Sequence, residues 1–427
     1  MAAVRACLSA FLMLGCAGLV RTRGNHGHGR AHSLWSADDV KSVQDAKQLW
    51  NQVGTGDEPT MQELWADWCI TYSKDASNSV GYANFRANME VVKAINDDTT
   101  TPFWGGANEF ADMSLDDFFR MFTGALSPDD ERRRSRRSAL ETAPSNNGGR
   151  KARFGFQPEE DLQLEFNDET PEENFLWEET ANDEESSTTT TTTRSLLGDL
   201  TAVKQQSSCG SCSFFVTAAL IESELLIAGG ADVSIDLSEQ QMVSCVNTAN
   251  SPYKGLGCGG GWLDSNINYV AWKGLNKEST WPYTNSNGAC NRVTDPTSGN
   301  AVKLAAGATR VSPSGNEQAL KNALQSGPVG LLFGAESSFL NYRGGIYQPT
   351  TCTTSINHAI TLVGYGFDTG SNQWFWKIKN SWGTGWGEAG YARIAMIGDG
   401  SGVCGMNQWA YKASSLFENA LLSRPCN

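Results

Sequence analysis

The chain has 427 residues, 40% of them hydrophobic, a formal charge of −14 and eleven cysteines. That length allows two or three domains and an ample core. No stretch beyond the start reaches the roughly 18 apolar residues of a membrane span, and the charge gives no reason to expect nucleic acid as a partner. The acidity is also local. Between Glu159 and Glu185 stand thirteen acidic residues and no Lys or Arg, which holds −13 of the charge and leaves −1 elsewhere. Such a tract is a solvated segment rather than an adaptation to a basic partner.

Residues 1–17 read as an export signal. Arg5 supplies a basic start, Ala6 to Ala17 is mostly apolar, and Gly15 and Ala17 suit a cleavage point. The expectation is a soluble protein of the secretory pathway, with an extracellular or lysosomal/vacuolar destination, in which disulfides are possible. Cys7 and Cys16 fall in the signal. Nine cysteines remain, an odd number, so at least one thiol has no intrachain partner. The HGHGRAH stretch, with His26, His28 and His32, reads as disordered chain, and no metal or cofactor is expected. Met61 to Asn96 reads as helix, because Phe85, Met89, Val92 and Ile95 fall on one stripe at helical spacing. Leu115 to Phe122 reads as a second, shorter helix.

From Ala125 to Ser195 the chain changes character. A basic run, ERRRSRR (Glu131 to Arg137), precedes the acidic tract and a threonine run from Thr188 to Thr193. Low hydrophobicity and unbalanced charge mark a linker. In an exported chain the basic run suits a processing protease better than nucleic acid. The remainder, Leu196 to Asn427, is rich in Gly, Trp and Cys. Cys212 to Ala228 lacks Gly and Pro, ends at Gly229-Gly230 and reads as a helix that starts at Cys212. HAITLVGYG and WFWKIKNSW flank a turn-prone DTGSNQ and suggest an antiparallel hairpin. Helices first and strands later indicate an α+β chain in two lobes.

Cys209 and Cys212 form a C-x-x-C, which can be half a zinc site, a redox dithiol or two unrelated thiols. Zinc usually needs a second close pair, and no other C-x-x-C occurs in the chain. A thioredoxin-like dithiol should follow a strand in a βαβ unit, and no such repeat is visible. The nucleophile reading needs a thiol with raised thiolate fraction and a nearby base. A helix N-terminus favours negative charge at Cys212. Of four histidines only His358 lies in the globular part, so any base must be His358.

Four motifs then appear in order: Gln206 with CGSC, CGGGW at Cys258 to Trp262, INHAITLVGYG around His358, and KNSWGTGWGEAGY from Lys379. In these the chain resembles a papain-family cysteine protease in zymogen form. The 146 residues from Cys212 to His358 suit that family, and the 168 to Asn380 are long enough to imply insertions. The resemblance implies a two-lobed α+β papain-like fold: a helical left lobe, an antiparallel β-barrel-like right lobe and a helical N-terminal prosegment. The implied organisation is signal 1–17, inhibitory prosegment 18–124, linker and processing region 125–195 and peptidase domain 196–427. The implied activity is that of a cysteine endopeptidase or exopeptidase working through an acyl-enzyme, with peptide or protein substrates and a monomeric state.

By the same resemblance Cys212 is the nucleophile and His358 holds it as a thiolate–imidazolium pair, which can bring such a thiol to a pKa of about 3–4. Asn380 orients the ring, Trp382 shields that bond, and the Gln206 amide and Cys212 N–H form the oxyanion hole. The implied bridges are Cys209–Cys258, Cys245–Cys290 and Cys352–Cys404, which leaves Cys69 and Cys426 unassigned. Gly260 and Gly261 would pair with a peptide backbone. Trp262, Leu263, Ile356 and Asn357 would line the cleft, with Trp409 as floor of the main specificity pocket, disfavouring bulky side chains there.

In the prosegment, Gly106, Asn108, Phe110 and Asp112 fit the G-x-N-x-F-x-D pattern. Phe85, Asn88, Val92 and Asn96 fit part of the helical motif, with Ser77 and Gly81 where Glu and Arg are usual. The segment is expected to lie in the cleft in the non-productive direction. Two further departures stand out. Ser213 replaces the usual ring after the nucleophile, which should loosen packing and favours an alternative: a weakened, peptide-binding relative. FLWEE (Phe175 to Glu179) resembles the start of a mature domain, yet the acidic and Thr-rich stretch follows it.

Overall fold

The computed structural model describes residues 42–52, 58–129, 190–229, 231–246, 248, 251–291 and 301–416. The expected signal with Cys7 and Cys16, the histidine stretch, the basic run, the acidic tract, FLWEE and Cys426 lie outside the described residues.

The first helices are α1 (Val43–Gln52), α2 (Glu58–Thr71) and α3 (Ser79–Asp97). The single helix expected over Met61 to Asn96 is therefore two. Asn78 ends the intervening turn by accepting from the Gly81 N–H at 2.9 Å, an N-cap that starts α3. Ser77, at the place of the missing Glu, closes the turn on Asp75 instead. The break lets α2 fold back on α3, so that Trp65 and Trp68 meet Phe85 at 5.3 and 5.4 Å. The stripe of Phe85, Met89, Val92 and Ile95 is buried as its spacing implies. Strand β1 (Phe103–Gly105) and helix α4 (Leu115–Phe122) follow, the latter capped by Ser114.

Strand β2 (Thr190–Ser195) leads into α5 (Cys212–Ile227), which is apolar on nearly every side and buried accordingly. Helices α6 (Glu239–Cys245) and α7 (Leu263–Lys273) pack around it, with the small pair β3 (Leu275–Asn276) and β4 (Ala301–Val302). This is the helical lobe. The second lobe comprises β5 (Thr309–Arg310), α8 (Glu317–Leu324), β6 (Val329–Phe333), α9 (Ser337–Leu340), β7 (Tyr342–Tyr347), β8 (His358–Asp368), β9 (Gln373–Lys379), β10 (Tyr391–Ala395) and β11 (Ala410–Lys412).

Its strands run in the order β1-β7-β10-β9-β8-β6-β11-β5, with β2 paired to β8. All neighbours are antiparallel except β7 and β10. The expected β8–β9 hairpin is present. Where a barrel-like lobe was expected, the strand path among the described residues is open, with β1 and β5 at its two ends.

The expected linker differs at both of its described edges. Residues 125–127 continue into the groove between the lobes, and Thr190–Ser195 is already a strand of the sheet. The three pairs Cys209–Cys258, Cys245–Cys290 and Cys352–Cys404 are disulfide-bonded, and Cys69 and Cys212 are free.

Candidate active site

Two elements from different lobes meet at the groove. Helix α5 brings Cys212 at its first turn, and β8 brings His358 at its first residue. Both side chains are fully buried. Cys212 is buried in one cluster with Ala359, the residue after His358, and the backbone N–H groups of Ala359, Ser213, Ala125 and Gly124 are near enough to favour its thiolate.

Asn380 lies just beyond the end of β9, beside β8, and its Oδ1 stands 2.8 Å from His358 Nε2. An amide oxygen only accepts, so Nε2 carries the proton and Nδ1 is left as the free base. Among the described residues Nδ1 has no hydrogen-bond partner. The Trp382 indole stacks on the imidazole at 4.5 Å, closing one face to water. Gln206 is tied in from the helical lobe: its Oε1 accepts from Ser381 Oγ at 2.7 Å, so that Nε2 is turned toward the groove.

The groove is filled by the chain's own Phe122 to Ser127. The Phe122 carbonyl accepts from Gln206 Nε2 at 3.1 Å and from Trp382 Nε1 at 3.2 Å. Next, the Gly124 and Ala125 N–H groups donate to the Asn357 carbonyl at 2.8 and 3.0 Å. Gly261 then pairs on both sides, donating to Gly124 O at 3.0 Å and accepting from Leu126 N at 3.1 Å. Trp262 Nε1 reaches the Ser127 carbonyl at 3.2 Å. Close approach explains two glycines: a Cβ on Gly260 (φ +107°) would overlap the Gly124 carbonyl, and one on Gly210 would press on the Thr123 carbonyl.

The remaining specificity residues separate by role. Leu263 is buried, Ile356 and Trp409 are half-buried, and all three belong to the apolar cluster that also holds Ala125. Trp409 is braced from the far side by the Arg310 guanidinium, 4.2 Å from its ring. Asn357 points away from the groove, where its amide grips the Ala335 backbone at 2.8 and 2.9 Å; only its carbonyl serves the groove. Ser213 does not loosen the helix. It is fully buried and its hydroxyl accepts from Asn266 Nδ2 of α7 at 3.0 Å, so a polar pair occupies the place expected for a ring.

Burial dominates the electrostatics of this covered state. It pushes the Cys212 thiol up to about 11, against the four backbone N–H groups that favour the thiolate. The same burial brings His358 down to about 4, against the Asn380 hydrogen bond. Both groups are therefore neutral across the intervening range. Beneath them lies a buried ionic knot. Lys204 meets Glu222 at 2.7 Å and Glu239 at 2.8 Å, and Lys379 donates to the Thr201 carbonyl at 2.8 Å. Sequence patterning did not reveal this knot, nor Ser381, Asn266 or Tyr283, because each acts through contacts distant in the chain.

The prosegment residues occupy the second lobe. Asn108 Nδ2 donates to Leu340 O at 2.7 Å and a Cβ on Gly106 would crowd Arg343, both in the second lobe, while Asp112 pairs with Lys74 at 2.9 Å within the prosegment. Phe118 stacks on Phe122, Phe110 packs tilted against both, and Phe118 meets the Trp382 ring edge-on at 4.9 Å.

Residues 188–414 match the family described as papain family cysteine protease. The chain belongs to that family. Caricain of Carica papaya is 30% identical over 383 residues, spanning 88% of this chain and 89% of that relative. Zingipain-2 of Zingiber officinale is 39% identical over 216 residues, 50% of this chain and 90% of the relative. The structure of digestive procathepsin L2 proteinase from Tenebrio molitor larval midgut aligns with a TM-score of 0.60 at 26% identity, covering 83% of this chain and 99% of that one. A recombinant stem bromelain precursor aligns with a TM-score of 0.59 at 25% identity. The chain is a cysteine-type peptidase with an α+β papain fold, made as a zymogen.

Proposed function

We propose that Cys212 is the nucleophile of this peptidase, His358 its general base and acid, and Asn380 the group that fixes the ring. Attack of the Cys212 sulfur on a peptide carbonyl forms the acyl-enzyme, and His358 passes the thiol proton to the leaving amine. Water then releases the acyl group. Gln206 Nε2 and the Cys212 N–H stabilise the oxyanion, and the Phe122 carbonyl already marks where the Gln206 donor points. One observation carries the reading: a free sulfur at the first turn of α5 is buried in one cluster with the residue after His358, whose ring is locked by Asn380.

Residues 103–127 act as an intramolecular inhibitor on this reading. A substrate presents the residues before its scissile carbonyl to Gly261. The prosegment instead presents the residues after Phe122 there, so it runs the other way and offers Cys212 no bond to cleave. Maturation cuts between Asp129 and Thr190, since β2 already pairs with β8 and the family match begins at residue 188. A small side chain is preferred where Ala125 sits, because Trp409, Leu263 and Ile356 close that pocket. The work is done in the secretory pathway or in a lysosomal or vacuolar space, which fits three disulfides.

The test is labelling of the matured form with an epoxide-type thiol inhibitor. The adduct is expected at Cys212 and is lost in His358→Ala. A label on another residue, or an undiminished label in His358→Ala, overturns the assignment.

A further inference from the structure

The two donors of the oxyanion hole sit at opposite ends of one loop, Gln206 to Cys212. That loop has little regular structure of its own, and Ser207 within it takes a positive φ of 51°. Its middle is pinned, since the Cys209 carbonyl accepts from Gln206 Nε2 at 2.9 Å and Cys209 is bridged to Cys258, but neither restraint joins the two ends directly. Tyr283 touches both. Its hydroxyl donates to the Gln206 carbonyl at 2.7 Å and lies 2.7 Å from the hydroxyl of Ser211, the residue before the nucleophile. With the tyrosine proton committed to the carbonyl, Ser211 is the donor in the second bond, the shorter of its two options, since the Cys209 carbonyl stands at 3.2 Å.

The tyrosine is itself held from behind. The Thr284 N–H and hydroxyl both donate to Gln240 Oε1 of α6 at 2.9 Å, and Gln240 Nε2 donates to Ser286 O at 2.9 Å. The Cys245–Cys290 bridge ties the far end of the same segment to α6. Asn285 adds a third strut, donating to Ser208 Oγ at 2.9 Å. The Tyr283 ring packs edge-on against Phe215, one turn into α5, at 5.1 Å. Segment 283–286 is thus a bracket fixed to α6 that grips the loop at its start, middle and end.

We propose that Tyr283 is a positioning residue that sets the separation of the two oxyanion donors through its paired bonds to Gln206 and Ser211. This rests on the assignment of Cys212 and Gln206 above. The hydroxyl touches no substrate. Its action is geometric, and donors aimed at a developing oxyanion lose much of their effect when displaced by a fraction of an ångström.

The test uses the matured enzyme and two peptide ligands of one sequence. A peptide aldehyde accepts the Cys212 sulfur, forming a hemithioacetal whose oxygen lies in the hole and takes up the thiol proton. The matching peptide alcohol cannot form that bond. Tyr283→Phe keeps the ring against Phe215 and deletes the hydroxyl. It is expected to lower kcat and aldehyde affinity together by about tenfold, leaving KM and alcohol affinity within about twofold. Ser211→Ala breaks one end of the clamp and should give a smaller loss of the same kind, and the double variant should be no worse than Tyr283→Phe alone. Equal losses of aldehyde and alcohol affinity, or none in either single variant, overturn the proposal. Should Tyr283→Phe not fold, Ser211→Ala alone decides it by the same ratio. Gln206→Ala separates the two readings: if it leaves aldehyde affinity unchanged, the site assignment fails, and if it weakens the aldehyde while the Tyr283 and Ser211 variants do not, only the clamp fails.

Discussion

The prosegment is held in two places by two kinds of force. At the second lobe it is held by side chains. Phe110, Phe118 and Phe122 are buried in the same core as Trp382 and Phe339, and Asn108 is sunk onto the Leu340 carbonyl. In the groove it is held by backbone, through Gly124, Ala125 and Leu126 against Asn357 and Gly261. A buried Phe is worth about 3–5 kcal/mol against Ala, whereas one main-chain hydrogen bond nets about 1 kcal/mol. The anchor therefore carries the affinity and the groove segment carries the occlusion. An inhibitor built this way can cover a site without filling its specificity pocket with a large side chain.

The largest expected effect concerns the covered thiol. With Cys212 raised to about 11 by burial, its thiolate is scarce at pH 6 and grows tenfold per pH unit until about pH 11. Alkylation of the zymogen by iodoacetamide should follow that slope. Cys69 is an internal control, since burial and the nearby Asp112 and Asp75 raise it to about 11 as well. Once the segment is gone, water and the His358 pairing return, and Cys212 should react at pH 6 at least about a thousandfold faster. Peptide mapping of the alkylated cysteines measures both rates, and equal Cys212 rates before and after maturation would remove the groove's share of the comparison.

Next comes the anchor. Phe118→Ala in the prosegment, added in trans to the matured enzyme, should weaken inhibition by about two to three orders of magnitude. Phe118 is fully buried among Phe110, Phe122 and Trp382. An inhibition constant that shifts less than about tenfold would mean the side-chain anchor is not where the affinity resides.

Much of this was legible in the sequence, and for definite reasons. The α5 span follows from a run without Gly or Pro that stops at Gly229-Gly230, the β8–β9 hairpin from two β-rich runs around a turn, and the Phe85 stripe from helical spacing, all local signals that the fold did not override. Cys212, His358, Asn380 and Gln206 stood out because their motifs are short and ordered along the chain. The break between α2 and α3 was missed although it falls in the polar, turn-prone run Ser73 to Ser79, because the reading followed the apolar stripe of α3 and passed over the Asn78 cap that starts it. Ser213 misled in another way. The loss of a ring was visible, but its partner Asn266 lies 53 positions away. Tyr283 and the Lys204 knot were silent for the same reason: each is an ordinary residue until folding brings its partners to it.

The smallest effect sharpens the comparison most. Leu126 is only half-buried, and its contribution to the groove is a main-chain N–H on Gly261. Leu126→Ala keeps that bond, so it should change inhibition in trans by less than about fivefold. Gly124→Ala is the counterpart at the same depth. Its new methyl would overlap the Gly210 carbonyl, which backbone on both sides prevents from moving aside. The segment must then lift, uncovering Cys212 while Phe118 and Asn108 stay docked. The full-length Gly124→Ala zymogen should therefore keep its prosegment bound yet alkylate at Cys212 faster than the parent near pH 7. Release of the whole prosegment by this one methyl would show that groove and anchor dock as a single unit, and that the division of labour between backbone and side chain does not hold.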